Sequence, residues 1–189
     1  MSLLIQYTIL YASVLILVAL GGCFSEHSGV INLGLEGIMV MGALGGALTM
    51  KYMIGYPPAV IVILTILAAA VTGLVFSALL AVACINFKAD QTIVGTALNM
   101  LGLAAATVIV KAINIAENPD NVSATVQYIA QKKSFLVNIG GFEFNWMMLV
   151  ALVILIAAYI VLYKTKFGLR LMACGEHPQA CLLYTYPSP

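Results

Sequence analysis

Five long apolar runs separated by short polar stretches leave this chain few ways to fold. They cover about Leu3–Cys23, Val30–Met50, Ala59–Ile85, Thr92–Ile113 and Trp146–Tyr163. A hydrocarbon layer about 30 Å thick is crossed by a helix of about 20 apolar residues, and each run is close to that size. No water reaches backbone amides there, so each run must satisfy its own hydrogen bonds as a helix; strands would alternate apolar and polar residues. With 63% of its 189 residues hydrophobic and 8% charged, the chain cannot clothe itself in polar surface. The expected fold is all-α: a polytopic membrane helical bundle of about five transmembrane helices in a lipid bilayer.

Charge narrows the function classes. The net charge is +1 with no basic patch, so nucleic acid is not an expected partner. Cys23, Cys84, Cys174 and Cys181 are scattered and form no CxxC pair, which indicates neither a zinc site nor a disulfide framework. The N-terminus has no basic n-region and runs directly into a stretch too long for a signal-peptide core, so it reads as a retained span. Basic residues divide evenly between the two sides. Lys164, Lys166 and Arg170 crowd within seven residues after the fifth run, however, and cations close to span ends carry the orientation signal. That end is expected in the cytoplasm, with the N-terminus and the long 114–145 segment outside. The segment carries turn formers at Asn118–Asn121 and Gly140–Gly141 and is expected to form a short helix and a hairpin.

Polar residues inside the apolar runs are the candidates for function. In FSEHSGVINLGLEG (24–37), Asn32 and Glu36 lie four apart, on one face if the second run is helical from Val30. A carboxylate near the centre of a span costs about 2.5–3.5 kcal/mol on insertion scales. Glu36 must therefore face protein or water, either on a substrate path or in a brace between helices. Thr92, Gly95, Asn99 and Gly102 form a stripe of small and polar residues that lines either a helix interface or a water-filled path. Ala69, Gly73 and Ser77, like Gly42 and Gly46, repeat at i+4, a spacing that lets backbones approach. Glu26 and His27 fall in a turn before the second run, where His27 reads as a solvated loop histidine or, alternatively, a pH-sensitive group. Ser25 or Ser28 is placed to cap the second helix. The chain has no phosphate loop, no HExxH and no glycine-rich nucleotide fingerprint. If transport is driven, this chain is therefore not expected to hydrolyse the fuel itself, to bind a cofactor of its own or to act as an enzyme.

Three stretches resemble one family: FSEHSGVINLGLEG, ADQTIVGTALNML (89–101) and KFGLRLMACGEHPQA (166–180), in this order. They are similar to the membrane permeases of ABC importers, closest to the nucleoside branch, then the simple-sugar and ribose permeases, with branched-chain amino-acid permeases further off. The resemblance implies a subunit in the plasma membrane of a bacterium that lines a translocation path with a second permease subunit. It also implies an external substrate-binding protein and a cytoplasmic ABC ATPase that binds the ATP. On this resemblance Asn32, Glu36 and Asn99 would face the path or brace the helices around it. Gly175, Glu176, His177 and Pro178 would begin the helix that couples to the ATPase. Pro178 suits a first helical turn, while His177 stands where the family usually has Asn, a better N-cap. The rival readings are a branched-chain amino-acid permease, an ion-coupled carrier with Glu36 as its cation site, and a scaffold that transports nothing.

The resemblance covers about residues 1–180, which are expected to be the N-terminal part of a permease domain whose relatives continue into further spans. The last nine residues, CLLYTYPSP (181–189), resemble a translated sequencing-library adaptor and are expected to be a non-native tail, excluded from the fold.

Overall fold

A computed structural model describes residues 2–126, 135–139 and 142–177. The helices are α1 (Ser2–His27), α2 (Leu35–Tyr52), α3 (Pro58–Ile85), α4 (Gln91–Glu117), α5 (Met147–Lys164) and α6 (Lys166–Glu176). Strands β1 (Leu136–Ile139) and β2 (Phe142–Asn145) pair ahead of α5. The hairpin expected before the fifth span is therefore present, with its Gly140–Gly141 turn outside the described residues, as are residues 127–134, where the short helix was expected. Among the described residues, four helices are long and apolar enough to cross a membrane: 4–27, 58–85, 91–117 and 147–164. The chain is a multi-pass helical membrane protein.

The second expected span differs from its reading. α2 begins at Leu35, not Val30, and is not among the four. Its 18 residues include Glu36, Lys51 and four glycines, which dilute its apolar character. Two β-branched residues (Val30, Ile31), an asparagine and a glycine precede it, all poor helix formers. Asn32 therefore sits in irregular chain ahead of the helix and shares no helical face with Glu36. In the other direction α1 runs past Cys23 to His27, so Glu26 and His27 belong to its last turn rather than to a loop. Neither serine caps α2. Ser25 Oγ donates to Val30 O (2.7 Å) and Ser28 Oγ to Ser25 O (2.6 Å), closing the end of α1.

The chain divides into two compact units, residues 1–32 with 138–189, and residues 33–137. The first contains α1, α5 and α6, with α1 packed on α5. α5 ends at Thr165, whose backbone is extended and whose hydroxyl donates to Val161 O and accepts from Gly168 N at 3.4 Å. One side chain thus closes α5 and opens α6.

In the second unit α3 returns antiparallel from α2, and α4 then runs parallel to α2. Prolines 57 and 58 start α3, where a missing N–H costs nothing. Asp90 starts α4 by accepting from Thr92 N (2.8 Å) and Ile93 N (3.2 Å). Two small apolar clusters join the helices: Leu44 with Ala106 and Val110, and Phe76 with Leu80 and Leu98. At the far end Lys51 of α2 pairs with Glu117 of α4 at 2.7 Å. The buried Asn114 donates to Ser123 O and Thr125 O, holding the chain after α4 so that Val126 packs on the first cluster.

The two small-residue repeats meet each other. Gly42 and Gly46 of α2 lie against Ala69 of α3, and Gly73 lies against Ile38. Between them, a Cβ on Gly45 would overlap the Thr72 hydroxyl and stand 2.6 Å from its methyl. Gly45→Ala is expected to destabilise the protein by about 1–3 kcal/mol through overpacking. Adding Thr72→Ala should recover much of that loss, because among the described residues the Thr72 hydroxyl bonds only within its own helix, at Ala68 O and Ala69 O. Thermal unfolding in detergent measures both.

Candidate functional site

The first turn of a helix exposes amide N–H groups that have no partner within it. At α2 the N-cap position is Gly34, which has no side chain with which to cap the helix. The cap comes from another helix. Asn99 of α4 accepts at Oδ1 from Gly37 N (2.8 Å) and donates from Nδ2 to Leu33 O (2.7 Å). One amide thus closes an open N–H and an open carbonyl on either side of the start of α2.

Glycines allow the approach that this needs. A Cβ on Gly95, one turn before Asn99, would stand 3.0 Å from Gly34 N and from Leu33 Cβ. A Cβ on Gly102, one turn after, would stand 2.8 Å from Gly37 Cα and 2.9 Å from Gly37 O. The reciprocal Cβ on Gly37 would be 2.5 Å from Leu98 O. Here backbone rests directly on backbone. Gly95, Asn99 and Gly102 are therefore packed against α2, which accounts for most of the polar stripe; Thr92 at its head is exposed.

Glu36 lies in this pinned first turn, one residue from the amide that Asn99 holds. Its side chain is exposed, and its carboxylate has no hydrogen-bond or ion-pair partner among the described residues. The positive end of the helix dipole favours a carboxylate there. The arrangement presents one free acceptor group on a rigid mount. Glu36 and Asn99 thus come together at one helix start. Asn32 is half-buried and belongs to the other unit.

The second set of candidates lies at the end of α6. Gly175 and Glu176 form its last turn, and His177 is its C-cap, donating its N–H to Ala173 O at 3.1 Å. Pro178 lies outside the described residues, as does any helix for which His177 would be the N-cap. His27 is half-buried rather than solvated: Nδ1 lies 2.8 Å from Cys23 O, and its ring meets Tyr163 edge-on with centroids 6.2 Å apart. Gly37 and Asp90 are structural residues that reading the sequence did not single out. The Asp90-Gln91-Thr92 start of α4 had the composition of a cap and could have been found; the contact made by Gly37 had no local signal.

This is a multi-pass helical membrane protein with a polar mount at the start of its glycine-rich second helix. Residues 4–187 match the family described as branched-chain amino acid transport system / permease component, and the chain belongs to that family. It is 39% identical over 186 residues to the guanosine ABC transporter permease protein NupQ of Bacillus subtilis. It is 34% identical over 184 residues to the nucleoside ABC transporter permease protein NupC of Lactococcus lactis. Each alignment covers 95% of this chain and 58% of the relative. A putative glucose ABC transporter permease protein, TsgC13 of Haloferax volcanii, is 31% identical over 93% of this chain and 52% of its own length. The chain thus spans a little over half the length of these relatives. No solved structure matches it.

Asn99→Ala is expected to leave Gly37 N and Leu33 O without partners, at a cost of about 1–3 kcal/mol each. Asn99→Asp, which accepts but cannot donate when ionised, should lose only part of that. Unfolding midpoints of the two variants in detergent give the comparison; equal midpoints for Asn99→Ala and wild type would show that the amide is not a cap.

Proposed function

We propose that this chain is a permease subunit of an ATP-driven nucleoside importer in the plasma membrane of a bacterium. The reading is carried by its 34–39% identity to two permeases named for guanosine and nucleosides, over 95% of its length. In this reading a second permease subunit completes the translocation path. An external substrate-binding protein delivers the nucleoside, and a cytoplasmic ABC ATPase supplies the energy. ATP is bound on that partner, consistent with a sequence that has no phosphate loop.

Glu36 and Asn32 provide polar groups to the path, and Asn99 holds the first turn of α2 at the angle that Glu36 needs. A carboxylate accepts hydrogen bonds from ribose hydroxyls or a base amino group, so Glu36 is the candidate contact for a passing nucleoside. Strong retention there would slow release; tight binding belongs to the external protein. The Gly175–Pro178 segment contacts the ATPase.

Glu36→Gln keeps shape and polarity while removing charge. In the complete transporter it is expected to lower ATP-driven nucleoside uptake several-fold, while membrane abundance and ATPase co-purification stay at wild-type levels. Lost assembly with full activity in the surviving complexes would instead make Glu36 structural. Uptake that persists after collapse of the proton gradient but stops on ATP depletion excludes an ion-coupled carrier. The family description favours a second reading, branched-chain amino-acid import. Competition of labelled nucleoside uptake by excess leucine would support it.

A further inference from the structure

α6 is held at both ends by contacts in which glycine brings backbone against backbone. At its start, a Cβ on Gly168 would overlap the carbonyls of Leu162 and Val161 in α5, and Thr165 bonds to both helices at the bend. At its end, a Cβ on Gly175 would overlap the His27 carbonyl and stand 3.0 Å from Gly29 N, in the turn that closes α1. The contact is mutual: a Cβ on Gly29 would stand 3.1 Å from both Cα and O of Gly175. Gly29 has φ +80°, a conformation that side chains disfavour.

The rings beside this contact tie in α5. His27 is locked to α1 through Nδ1 and Cys23 O; a carbonyl only accepts, so Nδ1 carries the proton. Its ring meets Tyr163, in the last turn of α5, which in turn lies 5.2 Å from the Tyr159 ring. The ends of α1 and α5 and the whole of α6 are therefore joined without a flexible side chain at the two closest points. Close packing of this kind has low compressibility and transmits strain.

We propose that α6 and the C-terminal end of α1 act as one lever, with Gly29 and Tyr163 as positioning residues that carry a displacement of α6 into α1. The inference rests on the reading of Gly175–Pro178 as the ATPase contact, and it adds that coupling runs through α1 as well as along the chain. Nothing in the segment that would touch the ATPase needs to be altered to test it.

The transporter is reconstituted in lipid nanodiscs with its ATPase, in a background without native cysteines. Spin labels are placed at Glu26→Cys and Ala173→Cys, both exposed. A single distance between them that is the same with and without ATP and vanadate is expected; a distance that changes with nucleotide overturns the lever. In the unlabelled complex, Gly29→Val and Tyr163→Leu are expected to keep ATP hydrolysis near the wild-type rate while uptake per ATP falls about fivefold or more. Tyr163→Phe, which keeps the ring contact, should behave as wild type. Should Gly29→Val fail to assemble, the tyrosine pair and the label distance decide. Wild-type uptake per ATP in Tyr163→Leu overturns the proposal. Absence of ATP-driven uptake in the wild-type complex overturns the importer reading beneath it, a different result from uptake with a changing distance.

Discussion

A helix start carries amide groups with no partner inside the helix, and something nearby must accept their hydrogens. At α2 that acceptor belongs to another helix, since Gly34 has no side chain with which to cap its own. Asn99 can reach because Gly95, Gly102 and Gly37 add no Cβ of their own to the gap. Once the two backbones meet, the rest of the unit follows: α2 and α4 must run parallel, and α3 must return between them. The apolar clusters and the Lys51–Glu117 pair then close the seam toward its far end. The position of Glu36 is a by-product of this packing.

The sequence made the helices plain and their junctions obscure. Apolar runs the width of a bilayer are a strong signal, and α3, α4 and α5 lie within a few residues of where hydropathy put them. The start of α2 was misplaced because Val30 and Ile31 are as apolar as a span while being poor helix starters. Hydropathy measures transfer into lipid and is blind to backbone conformation. For the same reason α1 was cut short at Cys23: Ser25, Glu26 and His27 are polar, yet they complete its last turn.

The candidate site was legible in composition and illegible in partnership. Asn99 and Glu36 drew notice as polar groups in apolar surroundings. That the Asn99 amide answers a backbone 62 residues away has no local trace in the chain. Gly37 had none either, since a glycine shows what is missing from a position and never what occupies the space. His27 was read as a loop residue for want of any hint that Tyr163 would stand beside it. Contacts between elements distant in sequence are where reading from one sequence stops.

The pairing of Gly37 with Gly102 also bears on how this protein can change over generations. Where two side chains meet, enlargement of one can be offset by shrinkage of the other, and Gly45 with Thr72 leaves that route open. Gly37 and Gly102 are already the smallest residues there are, and each faces main chain. A genetic selection for suppressors of a lesion at either position would find no compensating change at the other. It would recover reversion alone, or distant changes that raise stability in general. The seam between α2 and α4 is thus a place where the lineage can hold its ground but not negotiate.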